Sequence, residues 1–181
     1  MSWTAWDPVR DAYHVQHFYA LIARCEALLY RHQAADAKRL LEGQLRMIRA
    51  SGLTNVRMVR TELLYAYGRA ALAAGDSSFT GRVPRTLEAD RIPMGRALAP
   101  LLQAGLARRS GRMERCALEL ARAIAALDGL GMGLHAAVAR LQRAKVVGGS
   151  EGASLERQAS DWFSRQQIGK VEAVCDLLAP I

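Results

Sequence analysis

Cysteine is sparse in this chain: Cys25, Cys116 and Cys175 are odd in number, far apart and form no CxxC pair. Neither a disulfide framework nor a paired-thiol metal or redox centre is expected. Each thiol falls within an apolar helical pattern, where it acts as a small hydrophobe in a reducing compartment. Aromatic residues are only 6% of the chain, too few for the base-stacking platforms of a single-strand nucleic-acid groove. No run of about 18 uncharged apolar residues occurs, as a membrane span would need. The opening MSWTAWDPVR also lacks a basic start followed by an apolar core. The expectation is a chain that is neither membrane-spanning nor exported, with a cytoplasmic location. No window alternates β-branched and polar residues with period two, so no strand is expected.

What is present is small, apolar and basic. Apolar residues make up 51% of the 181 residues, with Ala and Leu prominent, a composition suited to helices packed closely on helices. This length fits one domain and allows roughly 70% of the unfolded surface to be buried. The formal charge is +8, yet 22 of the 25 basic residues are Arg spread along the whole chain. Without a basic block or interleaved aromatics, nucleic acid is not the favoured partner.

Helical periodicity organises the sequence. Asp7 and Pro8 suit an N-cap and first helical position, followed by Val15, Phe18, Ile22, Cys25 and Leu29 on one face. The stretch HQAAD at 32–36 breaks the pattern, which resumes through Ala37, Leu40, Leu41, Leu45 and Ile48. A third helix carries Val56, Val59, Leu63, Ala66, Tyr67 and Ala70 and closes at Gly75, where a left-handed residue can end it. A loose joint is expected at 76–85. From Thr86 to Leu106 the pattern is one helix that Pro93 and Pro100 should kink or break. Met113–Leu127 gives the cleanest helix, with Glu114, Arg115, Glu119 and Arg122 expected outward. Helices through Leu134–Leu141, Leu155–Phe163 and Val171–Leu178 complete a count of about eight, the first of these three stopping at Gly148 and Gly149.

The glycine-rich stretch LDGLGMGLHAAV resembles a phosphate-cradling loop only superficially. Such a loop needs a strand feeding the turn so that amides converge on a phosphate at the next helix start. Here a strong helix precedes Gly129, the spacing is GxGxG, and no Lys-Ser or Lys-Thr follows. A helix-to-helix corner is the better reading, and no nucleotide, cofactor or metal is expected.

Turns near His32, Gly75 and Gly111 lie 43 and 36 residues apart, close to the period of tetratricopeptide-like hairpins. On these turns and on the stretches HVQHFYALIARCEALLYRHQAADAKRLL, VRMVRTELLYAYGRAALAAGD and AIAALDGLGMGLHAAVARLQRAKVVGGSEGASLERQASDWFSRQQIGKVEAVCDLLAP, the chain resembles one family. The family it resembles is the C-terminal tetratricopeptide-like region of large multidomain bacterial serine/threonine protein kinases of myxobacterial type. The resemblance implies a single all-α domain over 1–181, built as a right-handed α-solenoid of stacked antiparallel hairpins. It also implies a regulatory, non-catalytic role. The glycine-rich kinase loop, Val-Ala-Ile-Lys, His-Arg-Asp and Asp-Phe-Gly are absent, so no catalytic residue carries over.

Few constellations remain. His14 and His17 stand at i and i+3, but only Asp11, Cys25 or Glu26 offers a further ligand nearby, so a capping or interface pair is expected. His135 reads as a polar residue at a helix start. The third helix combines Arg57, Arg60 and Arg69 with Tyr65 and Tyr67, a stripe that could line the concave side of an array. Arg57, Arg60, Tyr67 and Arg69 are the candidate partner-binding residues, and the partner expected there is a protein or peptide segment of acidic character. The competing reading pairs these arginines with Glu26 or Glu62 between helices. Two other functions stand beside this one: a small-molecule or nucleotide-sensing helical domain with a pocket between hairpins, and, more weakly, a nucleic-acid-binding helical protein.

Overall fold

The computed structural model describes residues 13–76 and 81–181. Among them the regular structure is entirely helical: α1 (Val15–Tyr30), α2 (Ala34–Ala50), a 3-10 turn (Leu53–Asn55), α3 (Arg57–Ala73), α4 (Val83–Ala89), α5 (Pro93–Arg109), α6 (Met113–Gly129), α7 (Gly133–Val147), α8 (Gly149–Arg165) and α9 (Val171–Leu178). The expected cap at Asp7 and Pro8 lies outside the described residues, as does part of the joint expected at 76–85. Five of the helices have 17 residues, about 25 Å at 1.5 Å per residue.

The nine α-helices among the described residues exceed the expected eight because the two prolines behave differently. Pro93 opens α5 after an extended Ile92, the break expected there, and the pattern over 86–106 is divided into two helices. Proline fits a first turn because its missing N–H has no partner there anyway. Pro100 neither ends nor divides α5, which continues to Arg109. That position is buried in a helix flanked by α3 and α6. Burial of Ala97, Leu98, Leu101, Leu102 and Ala104 on both faces offsets the roughly 3 kcal/mol that an internal proline costs.

The turns share one mechanism. His32, Gly75, Gly111, Gly131 and Gln167 all have positive φ. At each of them the following amide reaches back five residues: Gln33 to Leu28, Asp76 to Ala71, Arg112 to Ala107, Met132 to Leu127 and Ile168 to Phe163. This is the Schellman closure, in which a left-handed residue lets the chain satisfy the last helical carbonyls and reverse. Gly131 and Gln167 are 36 residues apart, as are Gly75 and Gly111, and the chain is helical-repeat-like. The corner at 129–133 follows from the same rule. Gly131 supplies the left-handed position at φ 68°, and at Gly133 a Cβ would stand 2.9 Å from Trp162 Nε1. At Gly148, where a stop was expected, α7 ends and α8 starts immediately, the same residue serving both ends.

Sequential helices pack as neighbours from α1 to α8, with α3 also against α5 across the short α4. Two apolar cores result. Phe18, Cys25, Leu41, Ile48 and Ala70 belong to the first, while Leu102, Leu120, Leu127, Ala139 and Phe163 belong to the second. Helix α3 divides them, giving Tyr65 to the second core and Val59, Leu63, Ala66 and Tyr67 to the first. The last helix departs from the sequential order and lies across α1, α3 and α7.

Candidate functional site

Helix α3 is buried along almost its whole second half, from Tyr65 to Leu72. A helix covered on every side cannot present one open stripe, and the four candidate residues are accordingly distributed to three environments. Arg57 is exposed at the first position of α3. Arg60, one turn on, donates from Nη2 to Asp90 Oδ2 at 2.8 Å. Tyr67 is 5% exposed and its hydroxyl donates to Glu42 Oε1 at 2.7 Å. Burial, reinforced by that carboxylate, pushes the Tyr67 phenol up to about 12. Arg69 is 3% exposed, donates to Glu26 Oε1 at 3.1 Å and stacks 4.7 Å from the centre of the Tyr65 ring. Only Arg57 and Arg60 are therefore open to a partner in this conformation. The Arg69–Glu26 pair is the inter-helix ion pair weighed against the stripe; Arg60 takes Asp90 in place of Glu26 or Glu62.

The open end of α3 is the first of two loci. Arg57, Arg60, Thr86, Ala89, Asp90 and Arg91 line a recess of about 300 Å³. Val56 caps α3 in an extended conformation, with no side-chain bond to the first amides and no acidic residue in the first turn. The first intrahelical bond comes from Arg60 N–H to the Val56 carbonyl, so the amides of Arg57, Met58 and Val59 precede the ladder and leave the positive end of the helix dipole uncompensated. Asp90 is the acidic group here, and it is already engaged. Its carboxyl is held below the usual carboxylate range chiefly by the Arg60 guanidinium, with the Arg91 and Ile92 amides assisting. The guanidinium groups of Arg57 and Arg91 have no acidic partner among the described residues.

The second locus lies beneath α9. Three successive carbonyls accept one side-chain hydrogen bond each: Leu177 from Arg69 Nη1 at 3.1 Å, Leu178 from the Tyr65 hydroxyl at 2.5 Å, and Ala179 from Gln142 Nε2 at 2.9 Å. His135, at the start of α7, has its ring 6.2 Å from that of Tyr65. Burial and the nearby Arg69 charge depress its imidazole to about 4, so it is a neutral group at neutral pH.

Other expectations meet simple outcomes. The His17 Nδ1 accepts the His14 amide at 3.0 Å, a side-chain-to-main-chain cap at the start of α1. Glu119, expected outward, is fully buried between Arg115 and Arg122, the latter 2.6 Å away. The long arginine stems fold over the helix surface and carry their charges to a carboxylate that the apolar stripe has drawn inward. Among the described residues, no three or more His, Cys, Asp or Glu side chains are grouped to hold a metal ion, and no helix is long and apolar enough to cross a membrane. Sequence reasoning gives no site role to Asp90, Arg91, Gln142 or the last helix, whose existence it does predict. Asp90, Gln142 and the last helix acquire their places through partners distant in the chain, and no local spacing signals them. No protein-family model, curated protein or solved structure matches this chain.

Proposed function

We propose that this chain is a non-catalytic interaction and regulatory module, a right-handed tetratricopeptide-like stack of helical hairpins that binds an acidic protein segment. The supporting observation is the recess at the start of α3, where Arg57 and Arg91 are uncommitted and Arg60 is shared with Asp90. Three guanidinium groups against one carboxylate, at an uncapped helix N-terminus, form a local positive field whose natural counterpart is a carboxylate-bearing segment. Arginine forks suit this task because they engage carboxylates through two parallel N–H donors. In keeping with the resemblance to kinase tails, the contact would regulate an attached catalytic domain, a serine/threonine kinase being the one implied.

The reading is tested with a fluorescent octaglutamate peptide, titrated by anisotropy at low and moderate salt. The unmodified chain is expected to bind it, and the double variant Arg57→Glu/Arg91→Glu to bind at least tenfold more weakly, about 1.4 kcal/mol. Equal affinities would dispose of the recess as the site. Tighter binding of a generic DNA duplex, with a steep salt dependence lost in the same variant, would transfer the site to nucleic acid.

A further inference from the structure

The recess at the start of α3 concentrates positive charge at one point. Three of the residues lining its volume of about 300 Å³ are arginines, Arg57, Arg60 and Arg91, and Asp90 is the one acidic side chain among them. Two positive charges are therefore in excess. Asp90 does not compete for the other guanidiniums, because its side chain is almost fully buried and its carboxylate is taken by Arg60. Arg96, whose Nε donates to the Asp90 carbonyl at 3.2 Å, brings a fourth guanidinium to the same residue. Arg60 keeps its own Nε buried without a hydrogen-bond partner among the described residues, a donor left over once Asp90 is engaged.

Charge density separates the anions that could fill this place. A carboxylate carries one charge, whereas a phosphate monoester carries about 1.5 to 2 charges and three strong acceptor oxygens at a single position. An extended octaglutamate spans about 26 Å. In a recess at the small end of ligand-sized clefts, only its nearest carboxylates meet the arginines and the rest lie outside. A monoester delivers its whole charge inside, and guanidinium forks match its oxygens in pairs. The helix adds directional donors. The amides of Met58 and Val59 have no acceptor within α3 and no capping side chain, and helix N-termini hold phosphate through such amides.

We infer that the recess of Arg57, Arg60 and Arg91 takes a phosphate monoester, a phosphorylated side chain of the partner segment, in preference to that segment's carboxylates. The inference rests on the interaction-module reading and narrows it from acidic segments in general to phosphorylated ones, a ligand that arginine clusters recognise in other proteins. Arg57 and Arg91 supply the uncommitted forks, Asp90 fixes Arg60 between them, and the first amides of α3 complete the donor set.

The test compares three rhodamine-labelled peptides, Gly-Ala-Ala-X-Ala-Ala-Gly with phosphoserine, glutamate or serine at X, by anisotropy on the full chain. The phosphoserine peptide is expected to bind at least tenfold more tightly than the glutamate peptide. Arg57→Met/Arg91→Met, which keeps the apolar stems and removes the guanidiniums, should abolish that difference. Val56→Asp is a second variant that does not threaten the fold, because Val56 is exposed and aspartate suits the N-cap position. Its melting midpoint should rise, while the new carboxylate takes the amides and weakens phosphoserine binding at least threefold. Equal affinities for the phosphoserine and glutamate peptides would overturn the inference. With octaglutamate still bound, the broader acidic-segment reading would then stand; with octaglutamate unbound, both would fall. Inorganic phosphate that displaces the phosphopeptide at concentrations near the peptide's own Kd would make the ligand a free phosphate and overturn the assignment to a segment. Tighter binding of an eight-nucleotide thymidine strand, whose diesters carry one charge each, would overturn the preference for a monoester.

Discussion

Gly105→Ala is expected to lower the stability of the chain by about 2–3 kcal/mol, in the range of overpacked core positions. A Cβ at Gly105 would stand 2.3 Å from Leu72 Cδ2 and 2.8 Å from the Pro180 carbonyl oxygen. Leu72 is 1% exposed, so its side chain has little space into which to turn. The second neighbour is backbone, and moving it shifts the tail from Gln142 and from its seat in the second core. Gly105 lies inside a helix, where alanine would ordinarily gain about 1 kcal/mol from propensity. A net loss therefore measures the close approach of α3, α5 and the tail. Thermal melting should show a midpoint about 6–10 °C lower, given the few degrees per kcal/mol typical of this size. An unchanged or higher midpoint would mean that α3 and α5 separate readily and the tail is not seated as described.

Acid should destabilise the chain through His135 by about 2–3 kcal/mol, less than the full 1.36 kcal/mol per pKa unit would give because the ring retains some exposure. The imidazole is depressed to about 4 in the folded chain by burial and by the Arg69 charge, against an ordinary value near 6.5 once unfolded. Between these values the unfolded state binds the extra proton, so stability falls as pH falls. The contribution is fully present above about 6.5 and lost by about 4. The position of His135 near the start of α7 acts in the same direction, since a helix N-terminus disfavours a cation. Urea unfolding of the unmodified and His135→Gln chains at pH 7.5 and 4.0 isolates the effect, because the carboxylates titrate alike in both. The unmodified chain should lose more stability across this interval; parallel losses would mean that His135 charges freely in the folded state.

The helices were legible in the sequence where one face could be counted. The stripe Cys116, Leu120, Ala123 and Leu127 is buried as the period requires, and the turns read near His32, Gly75 and Gly111 are present, with the left-handed residue expected at Gly75 found at all three. Of the two prolines expected to kink or break the pattern, Pro93 does break it, at a position where no donor is needed, while Pro100 does not end its helix, because packing on two sides outweighs the lost bond. Glu119 was placed outward on charge alone. Its position on the helix, three residues from Cys116 and four from Ala123, carries it inward, and only Arg115 and Arg122 folding over it make that burial tolerable.

Local spacing thus determined the helical class, the reversals and most of the apolar faces, because a helix and its cap are settled by residues within five positions of one another. The fate of the α3 stripe was decided by tertiary structure alone. Tyr65 and Arg69 meet carbonyls 113 and 108 residues away, and Arg60 meets a carboxylate 30 residues away. A side chain's charge and size are written in the sequence, but whether it faces solvent, a carboxylate or another helix's end depends on which helices come to lie beside it.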